Sequence, residues 1–475
     1  MSLPRIDKVV IVLFDGLRPD MVDGAMPTLA GFRDGGLWFR NARSVFPSLT
    51  RVCTTSLATG SWPGRHGIVS NGFHLPNVLQ GAQIDTSDVG HLKLMRKKLG
   101  HVVAVDSLGQ ALARKGKRMA TVHGGSAGSA FLVNHDVVAN GHWTVSVHGE
   151  EATQTPDAIA RAVRACGPLP GADIPKVDAV AYAGRVLRAL ALAGDAAADV
   201  SVVWLPEPDT SFHYREIGSQ GSRVAMAAAD AAFADILDHV RGGPFAETTA
   251  IVALSDHGQI STVEEVDLMA KLNAAGFAAA TRPTDTTTLA MTNGAAGELR
   301  NLTADPGLLP AVVDWLLDQP SVGAVIARDA LPGTVPMDLL HHTHAHRPDL
   351  FYVMRADEGA DPYGLPGRRA FTGGVPLGGG MHGGLNRQEM STVMIWDVPG
   401  GRRGVEEAPT ALVDVAPTLA AMLGLDLECQ GRDLPLWQQE KHDVEHLATQ
   451  GRGGAGSFTL YRTRVGPRIY IDHLV

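Results

Sequence analysis

Six residues of metal-ligating type stand at places where a chain turns: Asp15 in "VVIVLFDG", Asp209 and His213 in "EPDTSFH", Asp256 and His257 in "LSDHG", and His382 in "GGGMHGG". Three carboxylates and three imidazoles are the oxygen and nitrogen donor set that zinc prefers. Six protein ligands suit two ions about 4 Å apart, the spacing used for in-line displacement at phosphorus. A separate run, "FPSLTRVCTTSLATG" from Phe46 to Gly60, offers Ser48, Thr50, Thr54, Thr55 and Ser56 as hydroxyls. Such hydroxyls more often cap or line helices. A nucleophilic role needs a neighbour that stabilises the alkoxide, and a metal centre supplies one.

The elements that must position these groups follow from hydrophobic patterning. "KVVIVLFD", "RMATVHGG", "DVSVVWLPEPD", "TAIVALSDHG" and "STVMIWDVPG" read as buried strands, because near-continuous β-branched runs are covered on both faces. Helices are expected at Thr155–Ala165, Asp178–Ala193, Arg223–Val240 and Leu308–Leu317, the first with Thr155 as cap and Pro156 at the first helical position. Alternating strands and helices give an α/β fold with a largely parallel sheet. Asp15, Asp209, Asp256 and His257 all lie just past strand ends, the edge where open α/β sheets bind ligands. Asp209 and His213, four apart, share a face of one helical turn. From Thr262 to Val375 the texture changes to Thr, Gly and Pro with shorter strand candidates, "GAVIA" and "LFYVM". This stretch reads as an inserted cap, leaving 1–261 and 376–475 as the catalytic core.

Composition narrows the function classes. The chain has 475 residues, 45% of them hydrophobic, and a net charge of −9. No global positive field attracts a nucleic acid polymer. The apolar run Val9–Phe14 is too short for a leader and ends in Asp15; Val177–Ala198 is broken by Arg185, Arg188 and Asp195. Neither approaches the roughly 20 apolar residues of a membrane span. Cys53, Cys166 and Cys429 are too few and scattered for a disulfide framework, so the expected location is cytoplasmic. "HHTHAHRPD" (His341, His342, His344, His346) reads as a surface or cap segment, since adjacent histidines point in different directions. His66 reads as structural and Cys53 as core.

These motifs, "VVIVLFDGLRPD", "FPSLTRVCTTSLATGSWPGRHGIVSN", "EPDTSFHYR", "LSDHG" and "MHGG", stand in the order of the alkaline phosphatase superfamily. They most resemble its type I phosphodiesterase/nucleotide pyrophosphatase branch. The resemblance implies a three-layer sandwich with helices on both sheet faces and a cap subdomain. It implies two zinc ions, with manganese the alternative: one held by Asp15, Thr50, Asp256 and His257, the other by Asp209, His213 and His382. Thr50 would be the nucleophile and form a phosphothreonine. Asn71 and the backbone N–H of Arg51 would hold a phosphoryl oxygen. The expected partners are small phosphoesters or phosphonates, nucleotides among them, with no nucleic acid polymer and no membrane.

Two departures bear on substrate choice. The family commonly has an aromatic residue directly after the nucleophile, where this chain has Arg51, suited to a second anionic group. A relative, phosphonoacetate hydrolase, carries lysines in a loop that corresponds here to "HGGSAGSAF", which has none. Hydrolysis of a phosphonate or a monoester, and transfer of a phosphoryl head group to an alcohol, are the alternatives. The sulfatase Cys/Ser-x-Pro-x-Arg pattern is absent around Thr50.

Overall fold

A computed structural model of the chain describes residues 4–193, 197–454 and 456–475. Asp195, read as one of the charges breaking the Ala-rich stretch, lies outside the described residues, as does the start of the N-terminal segment. An eight-stranded sheet forms the centre. From one edge its strands are Gly404–Glu406, Leu37–Phe39, Met394–Asp397, Thr249–Leu254, Lys8–Phe14, Val200–Leu205, Met119–His123 and Trp143–Ser146. All neighbours pair in parallel except Met394–Asp397, which runs antiparallel to both of its partners. The five strands expected from the sequence are all in this sheet.

The first strand shows why the fold has three layers. Successive side chains of a strand alternate between faces. Val9, Ile11 and Leu13 enter one hydrophobic core, with Val52, Leu57, Leu92, Leu112 and Leu419 from helices on that face. Val10, Val12 and Phe14 enter a second core with Leu29, Ile159, Val180, Phe233 and Ile236. All six residues are at most 2% exposed, so each face of the strand stabilises a different helical layer.

The four expected helices are present, Leu308–Leu317 with its expected ends and the other three with adjusted ones. Gln220–Arg241 starts three residues early, where Ser219 caps Ser222 N–H. Val177–Val186 gives way to a π-helical turn, Leu187–Ala191. Pro156–Cys166 begins at Pro156 as expected, but Thr155 does not cap it. The Thr155 hydroxyl instead donates to Thr144 O (2.9 Å) and accepts from Thr144 N–H (2.9 Å), tying the helix start to the edge strand. Tertiary pairing here overrides the local capping option.

Between Thr249–Leu254 and its sheet neighbour Met394–Asp397 the chain leaves the central sheet. It builds a six-stranded sheet within Ala279–Met354, packed on helices Leu268–Ala274 and Leu308–Leu317. A four-stranded sheet follows the order Ala356–Ala360, Pro366–Phe371, Ile260–Glu265, Gly380–Met381. The expected boundaries at 261/262 and 375/376 cross this smaller sheet. A C-terminal antiparallel sheet of Val444–Gly453, Gly456–Val465 and Arg468–Leu474 went unnoticed in the sequence. No described helix is long and apolar enough to cross a membrane.

The histidine cluster sits in the inserted stretch but is not a surface feature. His342 is fully buried, with Nε2 donating to Phe46 O (2.7 Å). His346 Nδ1 donates to Gly67 O (2.9 Å), and His341 stacks on Trp62 at 4.3 Å. His344 and His346 meet edge to face at 4.3 Å, while His341 and His342 take separate partners, and the segment serves as a joint between the insert and the loops flanking the hydroxyl run. Burial pushes both His341 and His342 down to about 4, with Arg462 beside His341 and with His341 and Arg347 beside His342 acting the same way. Below 6.5 the unfolded chain takes up protons that these folded-state rings refuse, so stability falls as pH drops from about 6.5 toward 4. Melting temperatures between pH 7 and pH 4.5 are expected to decline, and His342→Gln to flatten part of the slope; equal slopes would refute this assignment.

Candidate active site

The site lies at the carboxyl edge of the central sheet. Asp15 follows the central strand, Asp256 and His257 follow its neighbour Thr249–Leu254, and Asp209 opens the helix Asp209–Arg215 after Val200–Leu205. Three adjacent parallel strands therefore deliver all three carboxylates to one place. His213 comes one turn along that helix, its Nε2 3.4 Å from Asp209 Oδ1. His382 follows the short strand Gly380–Met381, and its Nε2 is 3.6 Å from the same oxygen. His257 Nε2 lies 3.2 Å from Asp256 Oδ2 and 3.7 Å from Asp15 Oδ1. The rings of His257 and His382 stack at 3.6 Å.

Two groups have ligand atoms all within 4.8 Å of one another: Asp209, His213 and His382, and Asp15, Asp209 and His257. The first coincides with an expected ligand set. In the second, Asp209 stands in both groups, whereas the resemblance gave the place to Asp256. Asp256 reaches the same spot through Oδ2, because its Oδ1 is occupied by Gly16 N–H (3.1 Å).

Whether these residues fit cations can be judged from atoms that lack partners. Asp15 Oδ1 and Asp256 Oδ2 are buried with no hydrogen bond among the described residues. Buried unpaired carboxylate oxygens are costly. Burial, then the charges of Asp256 and Asp209, pushes the Asp15 carboxyl well up; burial also raises Asp256. Burial opposes ionisation of Asp209 too, but His213, His382 and His257 hold it low. Burial and the neighbouring His257 push His382 well below its usual value. Negative charge packed this densely calls for a positive counterpart, and the donor set fits divalent metal ions.

Partners behind the ligands fix their orientation. His213 Nδ1 donates to Gly380 O (2.7 Å), His382 Nδ1 to Ser48 O (2.7 Å) and His257 Nδ1 to Gly258 O (3.2 Å). In each ring Nε2 is thus left to face the site. Trp204 Nε1 donates to Asp15 Oδ2 (2.8 Å), and Gln259 Nε2 to Asp209 Oδ1 (2.5 Å). The loop carrying His382 is held by Glu389, which accepts from Gly384 N–H (2.9 Å) and pairs with the buried Arg369. Sequence reasoning missed Trp204, Gln259 and the Arg369–Glu389 pair. Trp204 lies inside the "VVWLPEPD" strand and Gln259 two residues beyond His257, and no local pattern marks either as a partner of the carboxylates.

The hydroxyl run forms the helix Thr50–Thr59, with Leu49 at its N-cap making no side-chain cap. Thr54, Thr55 and Thr59 donate to the carbonyls four residues back. Ser56 pairs with His66 Nε2 (2.9 Å), and Ser48 donates to Gly384 O (3.1 Å). All of these are fully buried, whereas Thr50 is 8% exposed and its Oγ1 lies 3.1 Å from His257 Nε2. The other hydroxyls are taken up by these bonds, and Thr50 is turned to the His257 ring. Cys53 is buried in the core, where burial raises its thiol well above normal.

Asn71 and Arg51 meet in a way the sequence did not suggest. The Arg51 N–H, expected to face a phosphoryl oxygen, donates to Asn71 Oδ1 (3.0 Å). The first N–H groups of a helix lack intrahelical acceptors, and the carboxamide takes one of them. This leaves the Asn71 NH2 as the donor available to a ligand. The Arg51 side chain runs back to Thr86 Oγ1 (Nε, 2.9 Å), which itself donates to Asn71 O (2.6 Å). A cavity of about 530 Å³ opens here, walled by Arg51, Asn71, His213 and His382 from one side and by Thr292–Ala296 of the insert from the other.

Comparison with known proteins gives the family and the fold. The family model "Type I phosphodiesterase / nucleotide pyrophosphatase" matches residues 9–330. Murine ectonucleotide pyrophosphatase/phosphodiesterase 5, solved as an inactive variant in complex with AMP, is similar in structure with a TM-score of 0.61. It is 16% identical and aligns over 90% of this chain and 97% of its own. At that identity the likeness concerns the fold, an alkaline-phosphatase-like sandwich. Comparison with curated proteins gives no match.

Proposed function

Since the chain belongs to the type I phosphodiesterase/nucleotide pyrophosphatase family, we propose that it hydrolyses small phosphodiesters, nucleotides among them, through a covalent phosphothreonine on Thr50 at a two-zinc site. The observation that carries this reading is the convergence of Asp15, Asp209, Asp256, His213, His257 and His382, two of which, His213 and His382, line the cavity, with Thr50 Oγ1 3.1 Å from His257 Nε2. Asp15, Asp256, His257 and Thr50 would hold one cation, and Asp209, His213 and His382 the other. Zinc, or manganese in its place, supplies Lewis-acid charge to the attacking and departing oxygens.

The residues account for the remaining steps. Thr50 Oγ attacks phosphorus as the ester P–O bond on the opposite side breaks, releasing an alcohol and leaving the phosphoryl group on Thr50. Water then cleaves the Oγ–P bond and frees Thr50. The Asn71 NH2 holds a non-bridging oxygen through both steps, because its own Oδ1 is fixed by Arg51 N–H. The insert, which we read as a cap subdomain, walls the cavity and selects the ester group. The cytoplasmic reading rests on the three unpaired cysteines.

A phosphonate substrate is favoured by one observation. The Arg51 guanidinium reaches Ser126 Oγ (3.4 Å), inside "HGGSAGSAF", and so brings positive charge to the loop whose sequence has none. Specific activities of zinc-loaded protein on bis-p-nitrophenyl phosphate, p-nitrophenyl phosphate, thymidine monophosphate p-nitrophenyl ester and phosphonoacetate separate the readings. The two diesters are expected to lead; a lead for the monoester or for phosphonoacetate would replace the diesterase assignment. Phosphorylated products formed with added alcohols would mark a transferase.

A further inference from the structure

Arg51 occupies an unusual electrostatic position. Its side chain is 16% exposed, and its hydrogen-bond partners among the described residues are two neutral hydroxyls, Thr86 Oγ1 at 2.9 Å and Ser126 Oγ at 3.4 Å. The nearest carboxylate, Asp85 Oδ1, is 4.0 Å away, beyond hydrogen-bond distance. That oxygen already accepts Ser87 N–H (2.8 Å) and Ser87 Oγ (2.7 Å). A guanidinium carries five N–H donors, so most of them have no acceptor here. Burial depresses its pKa, while Asp85, Asp15 and Asp209 pull it upward. A guanidinium that faces a cavity with unoccupied N–H groups and no hydrogen-bonded carboxylate is suited to an anionic group of a ligand.

The side chain is also fixed in place. Thr86 accepts from Nε and donates to the Asn71 carbonyl, while Arg51 N–H holds the Asn71 carboxamide. Backbone and side chain of Arg51 thus share one frame with the Asn71 amide, and both residues line the 530 Å³ cavity with His213 and His382. Tyr214 is the sole phenyl- or indole-bearing residue on that lining among the described residues, and it is 46% exposed. This wall therefore offers the Arg51 guanidinium, with Asp85 4.0 Å from it, rather than a stacking surface.

From this arrangement we infer that Arg51 is a specificity residue: the preferred substrates are phosphodiesters whose retained ester group carries a carboxylate or a phosphate, which the free guanidinium N–H groups bind. This rests on the diesterase reading above and adds the charge of the substrate to it. A bidentate contact between guanidinium and carboxylate or phosphate favours the anionic group over a neutral isostere.

The test uses three substrates with a common leaving group: the p-nitrophenyl esters of phosphoglycolate, of its carboxamide, and of ethylene glycol bisphosphate. Wild-type kcat/KM for the carboxylate is expected to exceed that for the carboxamide by about tenfold to a hundredfold, as for a hydrogen bond to a charged group. In Arg51→Met the ratio is expected to fall toward one, and in Arg51→Lys to keep part of its value. The bisphosphate arm shows which anion is preferred. A wild-type ratio near one, or a ratio that survives in Arg51→Met, overturns the inference. Titration calorimetry of phosphoglycolate against phosphoglycolamide on zinc-loaded protein gives the same comparison without turnover. If none of the esters is hydrolysed, the diesterase reading falls, while the calorimetric ratio still decides for or against Arg51.

Discussion

Thr50→Ala is expected to lower kcat for diester hydrolysis by at least about a thousandfold, the scale on which removal of a covalent nucleophile is felt. Nearby hydroxyls offer no replacement. Ser48 is bonded to Gly384 O and to Gly383 N–H, and Thr54 and Thr55 are bonded to the preceding helical turn. Each would have to give up these bonds to turn toward the site. The variant should fold normally, because Leu49 rather than Thr50 occupies the N-cap and Thr50 is no interior cavity former. A melting temperature within a few degrees of wild type, together with loss of the acid-stable phosphopeptide after quenched turnover, completes the expected result. Retention of more than about a tenth of the activity would remove Thr50 from the role assigned to it.

Metal removal is expected to have the second large effect. Chelation should abolish turnover and destabilise the protein, by about 2.7 kcal/mol relative to protein in metal at a hundred times its dissociation constant. The cause is the packing of Asp15, Asp209 and Asp256 together, with Asp15 Oδ1 and Asp256 Oδ2 lacking a donor among the described residues. Asp15→Asn sharpens the test, because it separates charge from shape. It removes one of three repelling carboxylates while keeping an acceptor for Trp204 Nε1. The metal-free variant should melt no lower than the metal-free wild type, whereas its stabilisation by zinc should be mostly lost. Equal melting curves for chelated and zinc-loaded wild type would show that the cluster holds no structural cation. A metal-free variant that melts far lower would show that Asp15 is ionised and stabilising on its own.

Several elements were legible because a local rule sufficed. Val9–Phe14 reads as a buried strand since no other element buries six consecutive apolar residues on two faces. Asp15, Asp209, Asp256 and His257 were recognisable as candidates from their places after strands. The helix Leu308–Leu317 kept its expected ends. Where local rules competed, the reading slipped: Thr155 had a helix to cap and an edge strand to bond, and the strand won. The C-terminal sheet escaped notice because its first strand, Val444–Gly453, is largely exposed and polar and shows little apolar alternation.

The candidate site divides in the same way. Residue types and their order along the chain, the donor set for two cations and the cationic Arg51 beside Thr50 all belong to the sequence by itself. The resemblance already pointed to Thr50 among the hydroxyls of Phe46–Gly60, but only the tertiary structure showed how the others are taken up, by carbonyls four residues back and by His66 and Gly384. It also decided that Asn71 Oδ1 takes the Arg51 N–H, that Trp204 and Gln259 brace Asp15 and Asp209, and that the histidines at 341–346 form a buried joint. Each of these contacts, Thr50 with His257 included, joins residues 20 to 296 positions apart. Spacing along a chain governs neighbours within a turn or a strand pair; pairings over such distances are set by how the layers pack.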